Sequence, residues 1–267
     1  MGLVVADVTA VQQAAETIAS RVAAMVRDLP DVSIPIPNSE WRVSEAAAHL
    51  AYANLGMAMM ARGLEIPHGD GTREGLAVAN ALSLEGFTER DGAVLADRMV
   101  AGATMVFDEA RVQPPDRICP TPMGRMPVET LTSYLVVHEA MHGSAIATAV
   151  GAPWPFEPEH VLLMWPFISY VLPKVCDVVQ MAELAACFEL RFGDVFTCAL
   201  MVQNGTVEPA LTPSRPPDCI VAGDAQSLFL VIVKIFTMQD AVDAGDITLS
   251  GPRPDLGLQL PDLFNIP

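Results

Sequence analysis

The sequence predicts an α plus α+β chain: a helical bundle over the first half, followed by a smaller α+β domain. Three observations carry that prediction. Hydrophobic residues make up 51% of the 267 residues but aromatics only 6%, a mix that suits closely packed helices better than an aromatic-rich sandwich. Up to Val150 the apolar residues recur at helical spacing between proline- and glycine-rich breaks. Beyond residue 186 short alternating stretches take over, with Asn204-Gly205 as a strong hairpin signal.

Thr9 is the candidate N-cap of a first helix reaching Leu29, with Val11, Ile18, Val22, Met25, Val26 and Leu29 along one stripe. Pro30 ends it, and 30–37 is a proline-punctuated loop. A second helix follows Trp41, with Ser44 as its candidate cap, and runs through Met60. The glycine-rich stretch 63–75 reads as a loop, and a third helix is expected over 88–111. After the connector 114–127, Pro127 suits the first turn of a fourth helix, where its missing N–H costs nothing. That helix continues to Val150 and stops at Gly151-Ala152-Pro153. Four helices with long connections make an antiparallel four-helix bundle the expected architecture.

One or two further helical segments are expected between 158 and 186. Strands follow over 187–192, 196–203, 207–211, 219–222 and 247–249, with one helix over 225–240 packed on their sheet. The expected division is a bundle over 1–157, a helical connector over 158–182 and the α+β domain over 183–267.

The formal net charge of −17 makes nucleic acid and anionic membrane surfaces poor partners. The apolar run 161–172 is broken by Pro166 and 227–238 by Lys234, so neither reads as a membrane span. Residues 1–10 carry no secretion-signal pattern, which predicts a cytoplasmic protein. Cys119, Cys176, Cys187, Cys198 and Cys219 form no C-x-x-C pair, so reduced, mostly buried thiols are expected.

The chemistry concentrates in the histidines. His138 and His142 stand four apart on the fourth predicted helix, where both imidazoles leave the same face and can reach one ion. Leu131 and Leu135 precede them and Ala145, Ile146 and Ala149 follow on the same stripe, so the pair is expected to point into the bundle. His49 lies in Ala46-Ala47-Ala48-His49-Leu50, among little else that is polar. A lone buried histidine is more often a hydrogen-bonded core residue than a ligand. Three together are another matter: each uncompensated polar group costs roughly 1–3 kcal/mol in a core, and a shared divalent cation removes that cost. His49, His138 and His142 are therefore the candidate metal ligands; His68 and His160 read as ordinary surface residues. The same segment spells H-E-x-x-H, in which Glu139 would be the general base of a zinc hydrolase. That pattern expects a further ligand, and Glu157, Glu159 and Glu183 offer no convincing one.

The stretch Trp41-Arg42-Val43-Ser44-Glu45-Ala46-Ala47-Ala48-His49-Leu50 resembles the tryptophan-to-histidine opening of the second helix in DinB-like proteins. It also resembles the branch that includes mycothiol-dependent maleylpyruvate isomerase, in which two ligands four residues apart precede a Gly-x-Pro-Trp-Pro turn. Here these correspond to His138, His142 and Gly151-Ala152-Pro153-Trp154-Pro155. In the second half, 218–224 and 244–247 resemble a sterol-carrier-like α+β domain. The chain departs from the branch at His138, where the isomerase carries Glu, and in lacking an Asp soon after His142.

The resemblance implies a DinB-like bundle holding a divalent metal, with zinc the expected ion. It further implies a low-molecular-weight, mycothiol-type thiol cofactor and a transferase or isomerase activity on a small electrophile. The expected partners are that thiol and that electrophile, held in a cleft between the domains, and a homodimer is compatible with the pattern. Tyr52, near His49, is a candidate for the pocket lining or for the core; no catalytic or thiol-binding residue is assigned. The competing reading is a non-catalytic small-molecule or lipid binder with a structural metal, the zinc hydrolase coming behind both.

Overall fold

In the computed structural model residues 7–69 and 72–265 are described. The first six residues of the stretch searched for a signal, and residues 70 and 71 of the expected loop, lie outside them. The chain divides into two compact units, one ending at Pro155 and one beginning at Phe156.

The first unit is helical. Helix α1 (Val8–Arg27) starts at Asp7, whose carboxylate accepts from the Thr9 N–H, so the cap is Asp7 rather than Thr9. Helix α2 (Val43–Ala61) begins without Ser44 as its cap. The carbonyls of Ile34 and Val32 accept from Val43 and Ser44, and the Glu45 carboxylate accepts from the Arg42 N–H at 2.7 Å. The proline-rich loop thus supplies the acceptors that a capping side chain would otherwise provide.

Helix α3 (Arg73–Gly86) lies partly within the segment read as a loop. It is capped by Thr72, which accepts from Gly75; Leu76, Ala79 and Leu84 are only half-buried while Val78 and Leu82 are exposed, so its apolar residues mark no single stripe. Helix α4 (Gly92–Arg111) starts four residues later than expected because Asp91 caps it. In the connector β1 (Ile118–Cys119) pairs antiparallel with β2 (Met126–Pro127). Pro127 is the N-cap residue of α5 (Val128–Val150) rather than part of its first turn, and the helix ends on Gly151 in the left-handed region at φ 66°. Helices α1, α2, α4 and α5 form the four-helix bundle, with α3 packed against α2. Both α2 and α5 are buried on most of their circumference, not along one stripe.

The second unit opens with α6 (His160–Val171) and a short 3₁₀ turn. Its sheet comprises β3 (Ala186–Phe192), β4 (Phe196–Gln203), β5 (Thr206–Ala210), β6 (Cys219–Gly223) and a last strand, β7 (Ile247–Ser250), in the order β5-β4-β3-β6-β7. Only β3 and β6 run parallel. Asn204 and Gly205, both at positive φ, form the expected hairpin between β4 and β5.

The single helix expected over 225–240 is two: α7 (Ala225–Ile232) and α8 (Met238–Ala244). Lys234 takes a φ of 58° between them and its ammonium donates to the Phe264 carbonyl at 3.0 Å. Thr237 then caps α8. A final short helix, α9 (Leu256–Gln259), follows. Among the described residues no helix is long and apolar enough to cross a membrane.

All five cysteines are free, and burial pushes every one of their thiols up. Native protein is therefore expected to react slowly with a thiol-labelling reagent, Cys176 first because it alone is half-buried, and to release all five thiols on unfolding. Fast stoichiometric labelling of the native protein would contradict that burial.

Candidate metal centre

The bundle brings together the three histidines singled out in the sequence. His49 comes from α2, six residues past its start, and His138 and His142 from the middle of α5. One ring nitrogen from each lies within 4.8 Å of one from each of the others. Nε2 of His49 is 3.0 Å from Nε2 of His138, and ring centroids are 4.6 Å apart for His138 and His142. Zinc–nitrogen bonds of about 2.0–2.1 Å put tetrahedral ligands about 3.3 Å apart, so the closest pair is already at ligand spacing. His49 and His138 are buried and His142 is half-buried, which places the accessible side of the cluster at His142.

Burial holds the imidazoles of His49 and His138 well below the usual histidine range and that of His142 down to about 4. All three are thus neutral near pH 7, with lone pairs free for a cation. His138 Nδ1 has no hydrogen-bond partner among the described residues. Three neutral nitrogen donors converging at a largely buried site are a donor set that fits zinc or a similar divalent ion.

Two aromatic rings flank the cluster that sequence reasoning did not assign to it. Trp41, placed by the loop that begins α2, has its ring centroid 4.8 Å from His49 and stacks at 22° on His142. Tyr134, one helical turn before His138, meets that ring at 72°; burial pushes its phenol up to about 12, so it stays un-ionised. The i, i+4 spacing of Tyr134 and His138 was the available signal. Tyr52, a candidate for the pocket lining or for the core, is half-buried and has a ring contact with Phe87. His68 lies in the loop before α3, and His160 is half-buried against Phe156 and Glu157 in the second unit.

Glu139, the general base of the hydrolase reading, is fully buried and accepts from the Asn54 amide. Burial raises its carboxyl to about 8, against the smaller opposing effect of that hydrogen bond. A carboxyl that is protonated at neutral pH and shut away from water is poorly suited to activate a water molecule.

The comparisons with known proteins agree with this architecture. Residues 15–147 match the family model of the mycothiol maleylpyruvate isomerase N-terminal domain. The helical unit belongs to that family. Among solved structures, the crystal structure of the mycothiol-dependent maleylpyruvate isomerase matches with a TM-score of 0.53 at 16% identity, covering 84% of this chain and 88% of that one. A histidine-to-alanine mutant of the mycothiol-dependent maleylpyruvate isomerase gives a TM-score of 0.54 at 14% identity, over 91% and 93% of the two chains. The likeness therefore reaches beyond the helical unit into the second one, and at these identities it is a likeness of fold. No curated protein matches the chain.

Proposed function

We propose that this chain is a metal-dependent transferase or isomerase that uses a low-molecular-weight thiol, of the mycothiol type, on a small electrophilic substrate. The convergence of His49, His138 and His142 supports it most directly. The cluster holds three ligand-type side chains and no carboxylate or thiolate among the described residues. Three protein ligands with an open position are the pattern of catalytic zinc, whereas four close a structural site. The thiol enters from the name of the family and of the two similar structures, which are those of a mycothiol-dependent enzyme.

On this reading the three imidazoles hold the ion, zinc being the expected one, and their neutrality leaves its full positive charge uncompensated. A divalent ion bound there lowers the pKa of a coordinating thiol, so that the nucleophilic form is present at neutral pH. Trp41 and Tyr134 keep bulk water from the histidines, which strengthens every charge interaction inside the site. Tyr134, un-ionised, is a hydrogen-bond donor at the rim of the cluster. The half-buried side of His142 is the route for thiol and electrophile.

Cobalt substitution tests the reading. Cobalt-loaded protein should take up about one ion per chain and develop a sulfur-to-cobalt charge-transfer band when a low-molecular-weight thiol is added. A chain that cannot be loaded, or a loaded chain whose spectrum ignores the thiol, would overturn it.

A further inference from the structure

Besides the His49–His138 approach, the two helices that carry the histidines are joined by a buried polar contact that lies outside the histidine cluster. Asn54 on α2 and Glu139 on α5 are both 0% exposed. The Asn54 amide nitrogen donates to the Glu139 carboxyl and also to the Met99 carbonyl of α4 at 3.0 Å, tying three helices through one side chain. Gly102 permits that approach, since a Cβ there would stand 2.8 Å from the Asn54 Cβ.

The position of this contact is what gives it a role. Glu139 directly follows His138, and Asn54 lies five residues past His49, about 7.5 Å along the helix axis. Helix α2 packs chiefly on α4, and α5 chiefly on α1. The register of α2 against α5, which sets the distance from His49 to the α5 pair, therefore depends on few contacts. Apolar residues could fill this interior without leaving buried polar atoms such as Asn54 Oδ1 and Glu139 Oε2, which have no partner among the described residues. Apolar packing can slide, whereas a hydrogen bond fixes a register.

We infer that Asn54 and Glu139 are positioning residues, a polar clamp that holds α2 and α5 in the register at which His49, His138 and His142 converge. The inference rests on the metal-centre reading for its consequence but not for its geometry. Neither residue lies in the cluster itself.

The test compares Glu139→Leu with Glu139→Gln, which keeps an acceptor for Asn54, using cobalt affinity by chelator competition and the cobalt absorption spectrum. Glu139→Leu is expected to weaken binding about 10–100-fold and alter the spectrum while circular dichroism stays native. Glu139→Gln should recover most of both. Wild-type affinity and spectrum in Glu139→Leu would overturn the clamp. Should Glu139→Leu not fold, Asn54→Ala carries the same comparison.

A wild-type chain that takes up no cobalt would sink the metal reading alone. The clamp would then be read in the metal-free protein, from the NMR cross-peaks between the rings of His49 and His138. Their loss in Glu139→Leu and return in Glu139→Gln would support the clamp; no change would refute it.

Discussion

Chelation is expected to lower the melting temperature of the metal-loaded wild type by about 8–16 °C and to leave His138→Ala unmoved. An ion that binds only the folded chain stabilises it by about 4 kcal/mol when free metal exceeds its dissociation constant a thousandfold. For a domain of 150–250 residues each kcal/mol is about 2–4 °C. His138 is the proposed ligand to remove because its Nε2 lies 3.0 Å from that of His49 and its ring meets that of His142 at 4.6 Å. Truncating a buried ring costs stability in any case, so the melting temperature of the variant alone says little. The response to chelator does discriminate, because a histidine serving only as packing would leave the wild type equally indifferent. Differential scanning fluorimetry with and without chelator makes the measurement, and a wild type that ignores both metal and chelator would contradict the site.

The parts of this molecule that were legible in the sequence are those whose cause is local. The end of α5 at Gly151 and the hairpin at Asn204-Gly205 depend on residues that tolerate positive φ, and both were readable. The break between α7 and α8 was not, because Lys234 adopts the same region without being a residue that announces it. The start of α2 was misjudged because its acceptors come from Val32 and Ile34, across a loop. Helix α3 is hard to read because it begins in glycine-rich sequence and its apolar residues are split between a half-buried face, with Leu76 and Leu84, and solvent, with Val78 and Leu82.

The site divides in the same way. His138 and His142 declare themselves by their spacing, and His49 by being polar among alanines. Trp41 and Tyr134 flank the cluster only once α2 and α5 are side by side. The place of Glu139 in H-E-x-x-H suggested a base, but its full burial and its partner Asn54, 85 residues away, could not be read from that motif.

Gly143→Ala is expected to destabilise the chain, against the usual sign of that substitution in a helix. Alanine normally gains about 1 kcal/mol over glycine in a helix interior. At Gly143 the added Cβ would lie 2.7 Å from both Trp154 Cζ2 and Val22 Cγ2, well inside van der Waals contact. Neither neighbour has room to retreat. Val22 is fully buried on α1, and Trp154 is 9% exposed, with the Arg21 guanidinium 5.7 Å from its ring centroid. Arg21 also donates to the Pro155 carbonyl, holding the turn that carries Trp154. Overpacking of this kind costs about 1–3 kcal/mol, enough to cancel or exceed the helical gain. Chemical denaturation should therefore show a lower midpoint for Gly143→Ala, and Trp154→Phe, which shortens the ring, should restore part of it. The double-mutant cycle is expected to show a favourable coupling of about 0.5–3 kcal/mol between the two changes. A rise in midpoint for Gly143→Ala alone would mean that Trp154 can move aside. Because Gly143 adjoins His142 on one rigid helix, displacing α5 here also moves a histidine of the cluster, so the loss of stability and a loss of cobalt affinity should appear together.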